Sequence, residues 1–198
     1  MRNIFQSTVL IDTVETIHFD KNHNIISRNV DTGEVVFCND KPVVQSSKKN
    51  NGLIHRFLLW AHLSHNTMTV EGFASTVLFL GNLSPPAAFT YIGIGTGTTP
   101  SAVSDTQLQT PLKIKAAAMS AVTTTQIGDT LQAVATFSNA VDGLTGTTVA
   151  VTEVVLANGT VNGTALILLH QVYTPSDVMN WNQGDTLQVT VKVQEKQG

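Results

Sequence analysis

Residues 185–194, DTLQVTVKVQ, alternate polar and apolar side chains without a break. The apolar positions are Leu187, Val189, Val191 and Val193, and the polar positions between them are Gln188, Thr190, Lys192 and Gln194. Successive side chains of a β-strand point to opposite faces of the sheet. This stretch therefore predicts a strand with one buried face and one solvated face.

Six further runs rich in β-branched and aromatic residues lie between residue 73 and this strand, separated by Gly, Pro, Asn and Asp. They are STVLFLG (75–81), FTYIGIG (89–95), LKIKAAAMSAVTTTQ (112–126), TLQAVATFS (130–138), VAVTEVVLA (149–157) and TALILLHQVY (164–173). Short strands with turn residues between them are typical of sandwiches and jelly-rolls. We therefore predict a mainly β chain with a β-sandwich or jelly-roll-like domain.

Two segments refine this prediction. The stretch NGTVNGT (158–164) contains two Asn-Gly steps, which favour positive φ and predict a tight reversal between the two strands on either side. In LIHRFLLWAHLSHN (53–66), apolar residues recur with a period close to 3.6, which predicts one short α-helix. Asn50 or Asn51 offers its N-cap, and Asn66 and Thr67 mark its end.

The first part of the chain differs in composition from the rest, so we predict an N-terminal arm or hairpin over 1–48 and a helix plus sandwich domain over 49–198. The turn signal Asp31–Gly33 predicts a hairpin between NIISRNV and EVVFCND. A small hairpin buries little surface alone. Its apolar lead-in (Ile4, Phe5, Val9, Leu10) therefore needs cover, either from a neighbouring subunit or by forming a strand pair on the sandwich.

Composition argues against several classes of function. Charged residues make up 13% of the chain, the net charge is -3 and the isoelectric point is near 6.0. Binding to a phosphate backbone needs clustered Lys and Arg, so nucleic acid is not an expected partner. The sequence shows no apolar run long enough to predict a membrane helix, and we expect no membrane association. Cys38 is the one cysteine, which leaves no intramolecular disulfide.

The stretch YIGIGTGTTP (91–100) places Gly93, Gly95 and Gly97 in a G-x-G-x-G pattern. A dinucleotide site needs G-x-G-x-x-G between a strand and a helix, and a P-loop needs Gly-Lys-Ser or Gly-Lys-Thr. Neither is present, since Thr98, Thr99 and Pro100 follow. We interpret the glycines as positions where the strand backbone bends or approaches another chain closely.

The other candidate sites in the sequence, for a metal ion or for a catalytic nucleophile, have little support. His55, His62 and His65 share part of one predicted helix face, but no carboxylate in that helix completes a metal site. The string HFDKNH (18–23) fits a polar turn between two strands better than a calcium loop. No G-x-S-x-G elbow occurs. We expect no catalytic residues, no cofactor and no metal.

From Gly52 onward, the order of features resembles a group of structural proteins of tailed-bacteriophage particles. In that group a short helix precedes a strand that ends in a Gly-Thr-Gly-Thr-Thr-Pro loop. Short elements similar to SDTQL (104–108), TEVVL (152–156) and GDTLQVTV (184–191) follow. The resemblance implies a virion protein, assembled in the host cytoplasm, that functions by packing against other virion proteins.

The expected function is a non-enzymatic capsid decoration or cement subunit, which binds the major capsid protein and forms a homo-oligomer. A tail, collar or baseplate component is the main alternative, and a host-glycan-binding module is a third. The expected assembly contacts are the lead-in residues Ile4, Phe5, Val9 and Leu10, the stretch with Gly93, Gly95, Gly97 and Thr98, and the loop around Trp181.

Overall fold

The computed structural model describes residues 8–38, 41–44, 66–124, 129–138, 141–142, 144, 149–173, 179–181 and 184–197. The strands are β1 (Thr8–Phe19), β2 (Ile25–Cys38), β3 (Lys41–Val44), β4 (Asn66–Met68), β5 (Tyr91–Gly95), β6 (Pro111–Ala116), β7 (Ala118–Val122), β8 (Thr130–Ser138), β9 (Val149–Val151), β10 (Glu153–Ala157), β11 (Ile167–Val172), β12 (Met179–Trp181) and β13 (Thr186–Gln197). The helix α1 spans Val70–Gly81. The prediction of a mainly β, sandwich-like chain is confirmed.

The larger sheet has six strands in the order β3-β2-β1-β13-β8-β7. All its neighbouring strands are antiparallel. The strand predicted from the 185–194 alternation is β13, which lies inside this sheet. Its residues Leu187, Val189 and Val191 are buried, and Val193 is partly buried, as the pattern predicts.

The second sheet has five strands in the order β4-β11-β10-β5-β6, also antiparallel. The predicted reversal at 158–164 is confirmed, because β10 and β11 pair on either side of it and Gly163 has a φ of 83°. A two-stranded sheet, β12-β9, accompanies the two larger ones.

The main core lies between the two larger sheets. The five-stranded sheet contributes Ile92, Ile94, Val154, Leu156 and Leu169, and the six-stranded sheet contributes Val14, Ala133, Phe137, Leu187 and Val189. β10 and β11 are buried along their whole length, on both faces. Something other than the six-stranded sheet must therefore cover their second face.

The predicted run 112–126 is divided between the two sheets. Its first part is β6 in the five-stranded sheet and its second part is β7 in the six-stranded sheet, with only Ala117 between them. The Ala117 N–H donates to the carbonyl of Thr90 over 2.8 Å, which fixes this crossing. Periodicity alone could not show that the run changes sheets.

The predicted strand at 75–81 is wrong, because these residues belong to α1. Thr69 caps the helix, and its hydroxyl accepts a hydrogen bond from the Gly72 N–H at 3.0 Å. Asn82 ends it in the left-handed conformation. The apolar residues of a short run satisfy strand and helix templates equally well, and here the cap decides.

The turn predicted at Asp31–Gly33 is also wrong. β2 runs through these residues, with Asp31 opposite Val14 and Gly33 opposite Asp12 of β1. The reversal comes earlier, where Asp20 accepts hydrogen bonds from the backbone N–H groups of Asn22 and Asn24. This polar turn is the one the HFDKNH string predicts.

β1 pairs with β13 of the same chain from Thr8 opposite Gln197 to Phe19 opposite Thr186. His18 lies near one end of this ladder, and its Nε2 is 2.9 Å from the buried Asp185 carboxylate. Val9 and Leu10 of the lead-in lie in this ladder, so for these two residues the structure has the strand pair on the sandwich, and Ile4 and Phe5 lie outside the described residues. The boundary at 48 stays a prediction. The predicted helix at 53–66 lies outside the described residues except for Asn66, which begins β4.

Candidate functional site

The most concentrated polar chemistry in the described residues surrounds Glu153, the first residue of β10. Its side chain is fully buried. One carboxylate oxygen, Oε1, accepts hydrogen bonds from the backbone N–H groups of Gly97 at 2.9 Å and Thr110 at 2.8 Å. The other, Oε2, accepts one from the Gln109 N–H at 3.0 Å. Three backbone donors from one loop therefore converge on one carboxylate.

A histidine completes this arrangement. His170 of β11 lies across from Val155 of β10, and its Nε2 is 3.1 Å from Glu153 Oε2. Its Nδ1 is 2.7 Å from Asp105 Oδ2, and the imidazole is fully buried. Each ring nitrogen of His170 therefore faces a carboxylate oxygen.

The electrostatics of Glu153 result from two opposing effects. Burial alone raises the pKa of a carboxyl group, because the charged form loses its hydration. The hydrogen bond from His170 and the N–H groups of Thr110, Gln109 and Gly97 act against burial, and the pKa of Glu153 is lowered from its ordinary value of 4.5. The carboxylate is thus ionised at neutral pH, inside the protein.

Gly95 and Gly97 make room for the Glu153 side chain, and Gly93 makes room for the neighbouring Val155. Residues two apart on a strand share a face, so Gly93 and Gly95 of β5 lie on the same side, and Gly97 follows two residues beyond the end of the strand. A Cβ on Gly95 would meet Glu153 Cγ at 2.8 Å, and one on Gly97 would meet Glu153 Cδ at 2.8 Å. A Cβ on Gly93 would meet Val155 at 2.8 Å. The close approach predicted for these glycines is therefore to groups of their own chain.

The segment 96–110, which we call the covering loop, lies over the second face of the five-stranded sheet. Its Leu108 is fully buried against Val155, Ala157 and Ile167. The Leu108 N–H donates to the Asn162 side-chain oxygen at 2.9 Å. The Glu153 network thus attaches the covering loop to the sheet, and the loop closes a second, smaller core.

The geometry of the network is suited to holding the covering loop against the sheet. Both nitrogens of His170 face carboxylate oxygens, and the Glu153 carboxylate accepts three backbone hydrogen bonds, so both side chains are engaged with groups of their own chain. No sequence pattern indicates that these residues form a group. The one available signal was Glu153 itself, an acidic residue inside an apolar run of nine, and its partners are 43 to 56 positions away or across a turn.

The predicted assembly contacts differ in burial and in their position in the fold. Gly93, Gly95 and Gly97 are buried, whereas Thr98 is exposed at the start of the exposed stretch Thr98–Pro100. Val9 and Leu10 lie in β1, and Trp181 ends β12 opposite Val149. Ile4 and Phe5 lie outside the described residues, as do His55, His62 and His65. The assembly role of all these contacts stays a prediction.

The described residues expose one concentrated apolar surface, on α1. Val70, Phe73, Val77 and Leu80 are all more than two-fifths exposed. Beside the helix lies a groove of about 440 Å³. Its walls are almost entirely apolar and include Phe79, Leu80, Met119, Leu131 and Val193.

Among the described residues, no group of three or more His, Cys, Asp or Glu side chains is arranged to hold a metal ion. No helix in that part of the chain is both long and apolar enough to cross a membrane. Comparison with known protein families, with curated proteins and with solved structures found no match.

Proposed function

We propose that this chain is a non-enzymatic structural subunit of a tailed-phage particle. Capsid decoration is the favoured role. The proposal rests on the resemblance of the sequence elements from Gly52 onward to virion structural proteins. A tail, collar or baseplate position is the second candidate, because the same elements serve in those parts of the particle.

One structural observation supports treating those short elements as a single unit. Residues of three of them meet in the Glu153 network: Gly97 from the Gly-Thr loop, Asp105 from SDTQL and Glu153 from TEVVL. The Thr152 hydroxyl of TEVVL also donates to the Gly97 carbonyl at 2.6 Å.

The surface that remains after folding is suited to packing. It exposes the short stretch Thr98–Pro100, and repeated weak contacts through such a loop add up when many copies bind one lattice. A glycan-binding role is less favoured, because sugar sites combine several exposed aromatic rings with polar groups.

The test is a binding titration with capsids that lack the protein. Purified protein is mixed with the capsids, the particles are pelleted, and bound copies per capsid are measured by quantitative gel. Saturation at hundreds of copies supports decoration. Saturation at about a dozen or fewer supports a tail or collar position, since such parts have the low-order symmetry of a single ring.

A pair of matched variants shows whether the exposed Gly-Thr loop takes part. Thr98 and Thr160 are both exposed, and they lie near opposite ends of β10. We expect T98R to reduce the number of bound copies and T160R to leave it unchanged. No binding of the unaltered protein to capsids or to purified tails would overturn the proposal.

A further inference from the structure

The helix α1 buries small residues and exposes large apolar ones, which is the reverse of an ordinary surface helix. Its buried residues are Gly72 and Ser75, both small. Its large apolar residues Val70, Phe73 and Val77 are 62%, 42% and 49% exposed, and Leu80 is 81% exposed. A surface helix normally places its apolar side against the core and polar residues outside.

The reason for the small buried face is the close approach of the helix to β11. A Cβ on Gly72 would lie 2.6 Å from the Leu168 Cα. The Thr69 N–H donates to the Leu168 carbonyl at 3.1 Å, and the Thr69 hydroxyl donates to the Ile167 carbonyl. The start of α1 is therefore fixed backbone to backbone, and the large side chains have no place on the inner side.

The exposed residues follow a regular spacing. Val70, Phe73, Val77 and Leu80 are separated by three, four and three positions, which is the spacing of the a and d positions of a helix–helix seam. Leu83 beyond the helix and Val103 of the covering loop extend the seam, at 63% and 54% exposure. The Val70 N–H donates to the Val103 carbonyl at 2.8 Å, which places that loop beside the helix start.

We propose that this seam is an interface between two copies of the chain, with α1 packed antiparallel against α1 of the second copy about a two-fold axis. The partner that fits a seam of this spacing is another helix with the same spacing, and the second copy supplies one. The groove lined by Phe79 and Leu80 then receives side chains from the edge of the contact.

The size of the surface fits a reversible dimer. Six residues at these exposures, with ~150–200 Å² for a fully exposed large apolar side chain, give on the order of 1,000 Å² buried in total by two copies. That area is at the lower limit for a specific interface. A weak, reversible association is the expected consequence.

The antiparallel direction follows from charge. Glu71, in the first turn, is the one acidic residue of α1, and the helix has no basic residue in its last turn. A parallel pair would bring the two Glu71 carboxylates and two positive helix ends together, whereas an antiparallel pair separates them. In the antiparallel pair Val70 lies opposite Leu80 of the second copy.

The first test is sedimentation of the purified protein from ~1 to ~100 μM, a range that brackets the affinity expected of a small interface. We expect a monomer–dimer equilibrium that V77E weakens by more than tenfold, because the new carboxylate would be buried without a partner. The matched control is V161E, at a valine in the turn between β10 and β11 that is 60% exposed, against 49% for Val77. A monomer at every concentration, or equal effects of the two variants, would overturn the proposal.

A second test examines the direction. V70K and L80E alone should each weaken the dimer, and V70K/L80E should restore it, because the introduced ammonium of one copy then faces the introduced carboxylate of the other. Failure of the double variant to restore association would overturn the antiparallel arrangement. The inference does not depend on the proposed virion role, since self-association and capsid binding are measured in separate experiments.

Discussion

At the scale of single residues, the buried carboxylate of Glu153 is the group on which most of the local structure depends. It replaces lost hydration with three backbone donors and one imidazole. Such a group stabilises a fold only while every partner is present, because removal of one partner leaves the others buried and unsatisfied.

We expect E153Q to lower the free energy of unfolding by about 2–4 kcal/mol, since the amide would turn an N–H donor toward donors from the loop or from His170. The measurement is chemical denaturation. E15Q is the matched control, because Glu15 is a strand residue paired with exposed Arg28, where a surface ion pair contributes about 0–1 kcal/mol. Equal losses in both variants would contradict this account of the network.

The lowered pKa of Glu153 also predicts a direction for the pH dependence. A carboxyl with a lower pKa in the folded state stabilises the fold above its unfolded pKa, and this contribution is lost as the pH falls through the folded pKa. We expect the free energy of unfolding to decrease as the pH drops below about 4.5, and this decrease to be less steep in E153Q. The lowered pKa of exposed Asp20, due to its hydrogen bonds with Asn24, acts in the same direction and is unchanged in that variant.

At the scale of elements, strand and turn signals were reliable where each had one physical meaning. The alternation over 185–194 predicted β13, and the two Asn-Gly steps predicted the β10–β11 reversal. The Asp31–Gly33 signal failed, because glycine and aspartate are tolerated inside a strand when long neighbours pair on it. The strand predicted at 75–81 was wrong because the buried side of α1 consists of small residues. The apolar pattern in the sequence therefore comes from the exposed side of a helix.

The cap of α1 gives a direct test of what holds this helix. Thr69 is 1% exposed, and its hydroxyl satisfies both the Gly72 N–H and the Ile167 carbonyl. We expect T69A to lower the free energy of unfolding by about 1–3 kcal/mol, combining a lost cap with a lost buried hydrogen bond. T69S keeps the hydroxyl and should lose much less. A T69S variant as destabilised as T69A would assign the effect to the lost methyl group instead.

At the scale of the whole molecule, the sequence predicted the class of fold but not how its parts combine. Glu153, His170 and Asp105 meet because β10, β11 and the covering loop are brought together by pairings that no local pattern specifies. The same holds for the division of 112–126 between two sheets. The lead-in illustrates the point, since sequence left it open whether a neighbour or the same chain covers it.

The pairing of β1 with β13 predicts that the N-terminal strands are part of the folding unit. Deletion of residues 1–38 would remove Val14 from the core and leave β13 as an exposed edge strand that pairs only with β8, which favours aggregation. We expect this variant to be insoluble or unfolded by circular dichroism. A soluble variant without residues 1–38 that melts like the full chain would show that the first strands are an appendage.

The register of β1 against β13 has a mechanical consequence. Thr8 lies opposite Gln197, so tension applied between these two residues would act along the hydrogen bonds and open the ladder one pair at a time, as a zipper opens. Tension between Thr8 and Thr186, at opposite ends of the ladder, would load all the pairs together and require a much larger force. The resistance of this protein to pulling therefore depends on the two points at which it is held.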